Sequence, residues 1–388
     1  MADRLGILAG GHWVIDHVKM IDAWPPQDAL ASITSQRNAN GGCAYNLLKD
    51  LSLMGARFPL QGAGLISHDP DGEAILRDCD ALGIDRTRIR QTDAAPTSYT
   101  DVMTVASTGR RTFFYQRGAN AILSEEHFDL RSSNARIFHL GYFCLLDALD
   151  RVGPGGRNGH ARLLERASAM GFITSADMVS NETADFPAIV GPSLPHLDYL
   201  IANEFEIGRL TGRACARDGH AKINAVMAAA REVLERGVRR AVVVHFREGA
   251  VIVPRDGKEI RLGSVAVPAE RIRGAAGAGD AFAAGLLFGI HEAWPLDQAL
   301  ELGVCVAAAS LEDATCSGSI RPWRVCLQMG RLLGYGNQPL AMMRPPNGAR
   351  RRKTARHPIR TNRGRAVASE LPRGRKIRKR TRHEQDPR

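Results

Sequence analysis

Residues 274–285 read GAAGAGDAFAAG, and an apolar run, AFAAGLLFGI, begins at Ala281. Glycine and alanine surround a single carboxylate, Asp280. Glycine lets backbone approach a ligand closely and adopt φ/ψ values closed to other residues. The apolar run predicts a helix that starts at the acid. Its first turn presents free N–H groups and the positive end of the helix dipole. That is an anion site, and phosphate is its usual occupant. A carboxylate beside phosphate is repulsive, unless its job is to take a proton from a hydroxyl that attacks phosphorus. The helix dipole is expected to keep Asp280 ionised for that task.

The loop alone fits two readings. In one, the amides of Gly277, Ala278 and Gly279 form an anion hole. Asp280 is then the general base in phosphoryl transfer from a nucleotide to an alcohol. In the other, Asp280 caps a helix beside close-packed glycines. The phosphate loop G-x-x-x-x-G-K-[ST] is absent, and no G-x-G-x-x-G follows the first strand.

Working outward, strand and helix patterns alternate. LGILAGG (5–11) reads as a buried strand and CAYNLLKDLSLMGA (43–56) as a helix. A strand at 60–66, a turn and then a helix within 69–84, strands in ARIFHLGYF and FITSADM, and a helix between them continue the rhythm. LDYLIAN runs into the helix of EFEIGRLTG; NAVMAAAREVLERG precedes the strand RAVVVHF. Helices at 281–291, 296–312 and 323–333 close the pattern. It predicts an α/β fold, a doubly wound, mostly parallel sheet flanked by helices. The segments SYTDVMTVA and RTFFYQ predict a hairpin outside that sheet, suited to a small β lid.

The 388 residues are 44% hydrophobic and 24% charged, ample for a large core, with a formal charge of +11. That charge is not spread evenly. Residues 344–388 hold 17 of the 52 Lys and Arg but 3 of the 41 Asp and Glu, so 1–343 carries −3. We therefore divide the chain into a domain over 1–343 and a basic tail over 344–388. The tail has few large apolar residues and reads as disordered, with nucleic acid or an acidic surface as its conceivable partner. Seven scattered cysteines without a C-x-x-C pair argue for free thiols in a reducing compartment. No apolar run approaches a membrane span. A cytoplasmic protein is expected.

With these segments in place, GAGDAFAAG resembles the C-terminal motif of the ribokinase-like (PfkB) carbohydrate kinases. Asp16 after the first strand, Gly41-Gly42 with Asn46, DGEAILRDCDALGID, PTSYT, RRTFFY, GAN (118–120) and Asn203-Glu204-Phe205-Glu206 agree in order and spacing. The resemblance covers 5–333. It implies a ribokinase-like fold with a β lid, here about 12–36 and 95–118, that often makes homodimer contacts. It implies MgATP-dependent phosphorylation of a hydroxymethyl group on a sugar, nucleoside or similar polyol. Asp280 would be the base. Asp16, Gly41, Gly42 and Asn46 would hold the acceptor. Asn203 and Glu206 would serve ATP and Mg²⁺, with Glu206 acting on the metal through water.

Some positions depart from the family pattern. Gly274-Ala275-Ala276 stands where Asp-Thr-x is usual, which weakens the case for potassium activation. Val244-His245-Phe246-Arg247 replaces a Thr-x-Gly strand end, and Cys43 stands where ribokinase itself has lysine. The alternatives are a nucleoside kinase of the same fold and a catalytically silent sugar- or nucleotide-binding regulator. Asp16 also fits a turn, and Glu206 a helix first turn. His12 and Trp13 suit either pocket or core, and His139 and His245 read as core histidines. Arg111 reads as an exposed hairpin residue or a contact for an anionic acceptor.

Overall fold

Continuous apolar runs become strands buried on both faces, as a sheet covered by helices on each side requires. A computed structural model describes residues 4–313 and 317–336; the tail 344–388 lies outside them. In chain order the strands are β1 (Ile7–Gly11), β2 (Val14–Ile21), β3 (Ile33–Gly41), β4 (Leu60–Ser67), β5 (Asp85–Thr92), β6 (Tyr99–Val105), β7 (Arg111–Gln116) and β8 (Ile137–Phe143). They continue as β9 (Ile173–Met178), β10 (Tyr199–Asn203), β11 (Ala216–Arg217), β12 (His220–Ala221), β13 (Ala241–Phe246), β14 (Gly249–Pro254) and β15 (Ile260–Gly263).

Nine strands form one sheet in the order β15-β14-β13-β10-β9-β8-β1-β4-β5. From β13 to β5 every pairing is parallel, while β14 and β15 add antiparallel strands at one edge. Side-chain alternation splits the interior into two cores. Ile7, Ala9 and Val243 join one, with the helices Cys43–Leu53, Ala278–His291 and Leu296–Ser310. Leu8, Val242 and Val244 join the other, with Gly159–Ala169 and Ile223–Glu235.

Local chemistry sets the helix ends. In Pro70–Ala81, Asp69 caps the start by accepting from Gly72 N–H at 2.8 Å, with proline in the first turn. In β5 the sequence DRTRIRQT buries Ile89 alone. Its polar character fits the sheet edge it occupies and explains why apolar patterning does not single it out.

The lid is a separate four-stranded sheet in the order β3-β2-β6-β7. The hairpin expected over 98–116 is β6 and β7, paired antiparallel. β3 runs on to Gly41, beyond the expected limit of 36, so the Gly-Gly pair joins the lid directly to the helix Cys43–Leu53.

Candidate active site

Ligands of open α/β sheets bind outside the carboxyl ends of the strands, where the strand order reverses. Here that point is β1. Its neighbours are β4 on one side and β8 on the other, and the chain leaves it for the lid. Gly11 ends β1 at φ 123°, and a Cβ there would lie 1.8 Å from the Gly141 carbonyl oxygen. Glycine is required for β1 and β8 to stay paired this closely at Gly11 and Gly141.

Asp280 sits in the first turn of Ala278–His291, after Gly277 at φ 75°. It is 5% exposed. Oδ1 accepts from the Tyr142 hydroxyl at 2.7 Å and Oδ2 from Asn46 Nδ2 at 2.8 Å. Burial, and then the charge of Asp177, raise its pKa to about 7, against the lowering effect of those two hydrogen bonds. The ionisation expected from the helix dipole is therefore outweighed by desolvation.

Gly277, Gly279 and Asp280 line a cavity of about 210 Å³ together with Tyr142, Asp177, Asn203, Glu206 and His245. Ala278 differs from its neighbours. Its N–H donates to the Ala275 carbonyl at 3.3 Å, and it lines the adjoining pocket.

Asn203 and Glu206 form a reciprocal capping box. The Asn203 side chain accepts from Glu206 N–H at 2.9 Å, and Glu206 Oε2 accepts from Asn203 N–H at 2.8 Å. Glu206 Oε1 accepts from Ser180 Oγ at 2.9 Å and from Asn203 Nδ2 at 2.8 Å. Burial raises the pKa of Glu206 to about 8. The helix-end reading of this motif and its place on the cavity wall hold together.

Asp177 escaped the sequence reading. It lies near the end of β9, and its local pattern, ADM, matches no motif. It accepts from the Cys43 thiol at 3.2 and 3.3 Å and lies 3.5 Å from His139 Nε2. Burial and Asp177 push the Cys43 thiol well above its ordinary range. Tyr142, which holds Asp280, was also missed.

On the other side of Asp280 lies a pocket under the lid, lined by Asp16, Arg37, Asn40, Asn46, Lys49 and Arg111, among others. Gly41 makes room for Asp16, since a Cβ there would lie 2.7 Å from its Oδ2. Gly42 has φ 94°, and a Cβ would meet the His12 carbonyl at 2.4 Å. Asn46 Oδ1 is buried without a hydrogen-bond partner, the state of an acceptor awaiting a donor. Burial raises Asp16 to about 6, opposed by Thr100, His17 and Arg111.

A third pocket, about 640 Å³, is walled by Phe246, Val265, Ala278, Gly279, Phe282 and Leu311. It shares Gly279 and His245 with the central cavity. His245 is therefore a wall residue, with its pKa pressed to about 4 by burial. His139 and Trp13 are core residues, both fully buried. Another groove, about 740 Å³ around Phe186, Phe205 and Arg213, shares no residue with the Asp280 cavity. Convergent chemistry, not size, marks the site.

The order is thus an apolar pocket, a cavity rimmed by carboxylates and helix-start glycines, and a polar pocket beneath a lid. Asp280 lies between the last two, tied to the polar pocket by Asn46. This is the layout of a phosphotransferase with an alcohol acceptor. The chain belongs to the pfkB family carbohydrate kinases, whose sequence profile matches residues 12–323.

A nucleoside kinase of Methanothermobacter thermautotrophicus is 25% identical over 81% of this chain and 91% of its own. A 5-dehydro-2-deoxygluconokinase of Clostridium perfringens is 22% identical over 75% and 85%. In fold, the chain matches Arabidopsis thaliana ribokinase, solved with ribose and ATP, at a TM-score of 0.67. That match is 20% identical over 84% of this chain and 98% of the other. The fold is ribokinase-like. Among the described residues no helix is long and apolar enough to cross a membrane.

Proposed function

We propose that this protein transfers the γ-phosphate of ATP to a hydroxymethyl group of a sugar or related polyol in the cytoplasm. The supporting observation is the position of Asp280 between the glycine-lined cavity and the pocket under the lid. Asp16, Gly41, Gly42 and Asn46 bind the acceptor, with the vacant Asn46 Oδ1 taking one hydroxyl hydrogen. The acceptor oxygen bonds to the γ-phosphorus as the bond to the β–γ bridging oxygen breaks. ADP leaves, and the hydroxyl proton passes to Asp280. Tyr142 and Asn46 fix the carboxylate through both of its oxygens. Gly277 and Gly279 present the helix start to the transferred group, with Ala278, whose N–H is taken by Ala275, behind them.

The donors on the cavity wall suit Mg²⁺. Asp177, Asn203 and Glu206 are hard oxygen ligands, and Glu206, buried with a raised pKa, gains its charge back beside a dication. These residues would hold the ion largely through water, and it would neutralise charge on the phosphates.

A nucleoside acceptor is the second reading, favoured by the nucleoside kinase relative. Lid-mediated homodimers are supported by apolar exposure on the lid: Trp24 stacks on Phe114 at 6.1 Å, and Leu30 is 96% exposed.

The test is ADP release from MgATP across a panel of sugars and nucleosides. No acceptor-dependent release from folded protein would leave a silent binding protein as the better account.

A pH dependence follows from the Asp280 pKa of about 7. The base must be ionised, so kcat/KM is expected to rise tenfold per pH unit below 7 and level off above it. Stability runs the other way. The native pKa is raised above the ordinary aspartate value of 3.8, so this contribution is full below pH 3.8 and lost as pH rises through about 7. Melting curves of Asp280→Asn and the parent are expected to separate between pH 4 and 8, with the variant increasingly the more stable. A constant gap would show that Asp280 is not held protonated by its surroundings.

A further inference from the structure

The acceptor pocket carries more positive charge than the transfer of a phosphoryl group to a neutral alcohol needs. Strand register places its roof. β2 and β3 pair Asp16 with Ala39 and Val18 with Arg37. β6 and β7 pair Val102 with Phe113 and Thr104 with Arg111. Directly paired residues share a face of the sheet. Asp16, Arg37 and Arg111 therefore look from the lid into one pocket.

The floor comes from the helix Cys43–Leu53. Asn46 is bonded to the base Asp280, and Lys49, three residues on, lies on the same helix face. That spacing puts the Lys49 backbone about 4.5 Å further along the helix axis from the reacting centre.

Three cations thus face one carboxylate, Asp16. Two other lid cations do have partners: Lys19 is paired with Asp101, and His17 with Asp71 at 3.1 Å. Among the described residues neither Arg37 nor Lys49 forms an ion pair. Arg111 has an interaction of its own and adds a third positive group to the lining. A neutral sugar has less use for such a set, since Asp16 and Asn46 already supply hydroxyl partners. An anion uses all of it.

Building on the kinase reading, we infer that the acceptor is itself an anion, a sugar phosphate or sugar acid. Its reacting hydroxyl lies at Asp280 and its phosphate or carboxylate among Arg37, Lys49 and Arg111. A charge-assisted hydrogen bond from each cation supplies the preference. Phe113, on the same lid face and 59% exposed, offers a ring to a nucleoside base, so a nucleoside is the rival occupant.

The experiment measures kcat/KM of the full-length protein with MgATP on matched acceptors. These are ribose, ribose 1-phosphate, ribonate and adenosine, then fructose with its 1- and 6-phosphates, and glucose with gluconate. The expected result is an anionic acceptor preferred over its neutral parent by at least about 10-fold. Phosphate esters and acids, run as separate arms, tell the two anions apart. Arg37→Gln and Lys49→Gln are each expected to shrink that ratio by about 10- to 100-fold, mainly through KM. Lys49→Arg is expected to retain most of it.

A neutral sugar or adenosine as the best acceptor, or a ratio unmoved by either glutamine variant, overturns the inference and leaves the kinase reading intact. Absence of turnover with every acceptor, at the level of Asp280→Ala, counts against the kinase reading. In that event calorimetry without ATP decides the anion question. Binding of a sugar phosphate or acid that is lost in Lys49→Gln upholds it, and no such binding overturns it.

Discussion

Asp280→Ala is expected to lower kcat by about 10²–10⁴-fold while the protein stays folded, the loss typical of a missing general base. The carboxylate is buried and oriented through both oxygens, by Tyr142 and Asn46. Among the described residues no other group on the cavity wall is placed on the acceptor side in the same way. Asp177 faces Cys43 and His139, and Glu206 is committed to its capping box with Asn203. Residual turnover would come from the helix-start amides, which the substitution leaves in place.

Asp280→Asn sharpens the test. The amide keeps the size of the side chain but cannot take a proton, so its kcat should fall about as far as that of the alanine variant. ADP release, read beside circular dichroism, checks both. Near-normal kcat in folded Asp280→Asn would remove Asp280 from proton transfer and reduce it to a helix-end residue.

The parts of the molecule legible in the sequence are those whose cause is local. Continuous apolar runs such as AVVVHF are strands because both their faces are covered. Period-two patterning in SYTDVMTV gives the lid hairpin, and GAGD before an apolar run gives the helix start. What stayed hidden is set by distant packing. β5 is a polar edge strand with one buried side chain. Asp177 and Tyr142 reach the site because β8 and β9 end beside the 278–291 helix, which no local spacing announces. The Asp280 pKa shows the same division. The dipole effect is local and readable, while the desolvation that outweighs it depends on everything folded around the residue.

Trp13 carries the second large effect, and it shows how the lid is rooted. β1 ends at Gly11 and the lid begins at Val14, so Trp13 lies in the link between them. It is fully buried. Its indole fills a slot that β4 opens with two glycines: a Cβ at Gly62 would lie 2.9 Å from the ring, and one at Gly64 2.3 Å. Nε1 donates to the Ala63 carbonyl between them at 2.9 Å, and Tyr45 packs at 6.3 Å. The Trp13 carbonyl accepts from Asn120 Nδ2 at 2.8 Å.

Trp13→Ala is expected to cost about 3–5 kcal/mol, because glycines cannot fill the vacated slot. The Ala63 carbonyl also loses its donor. Urea unfolding measures the loss, and a value below about 1 kcal/mol would mean that the slot collapses and the indole is no anchor. The acceptor KM separates two roles. A rise alongside the lost stability means that Trp13 fixes the lid over the pocket. A destabilised variant with an unchanged KM would place that job on Asn120, whose grip on the Trp13 backbone survives the substitution.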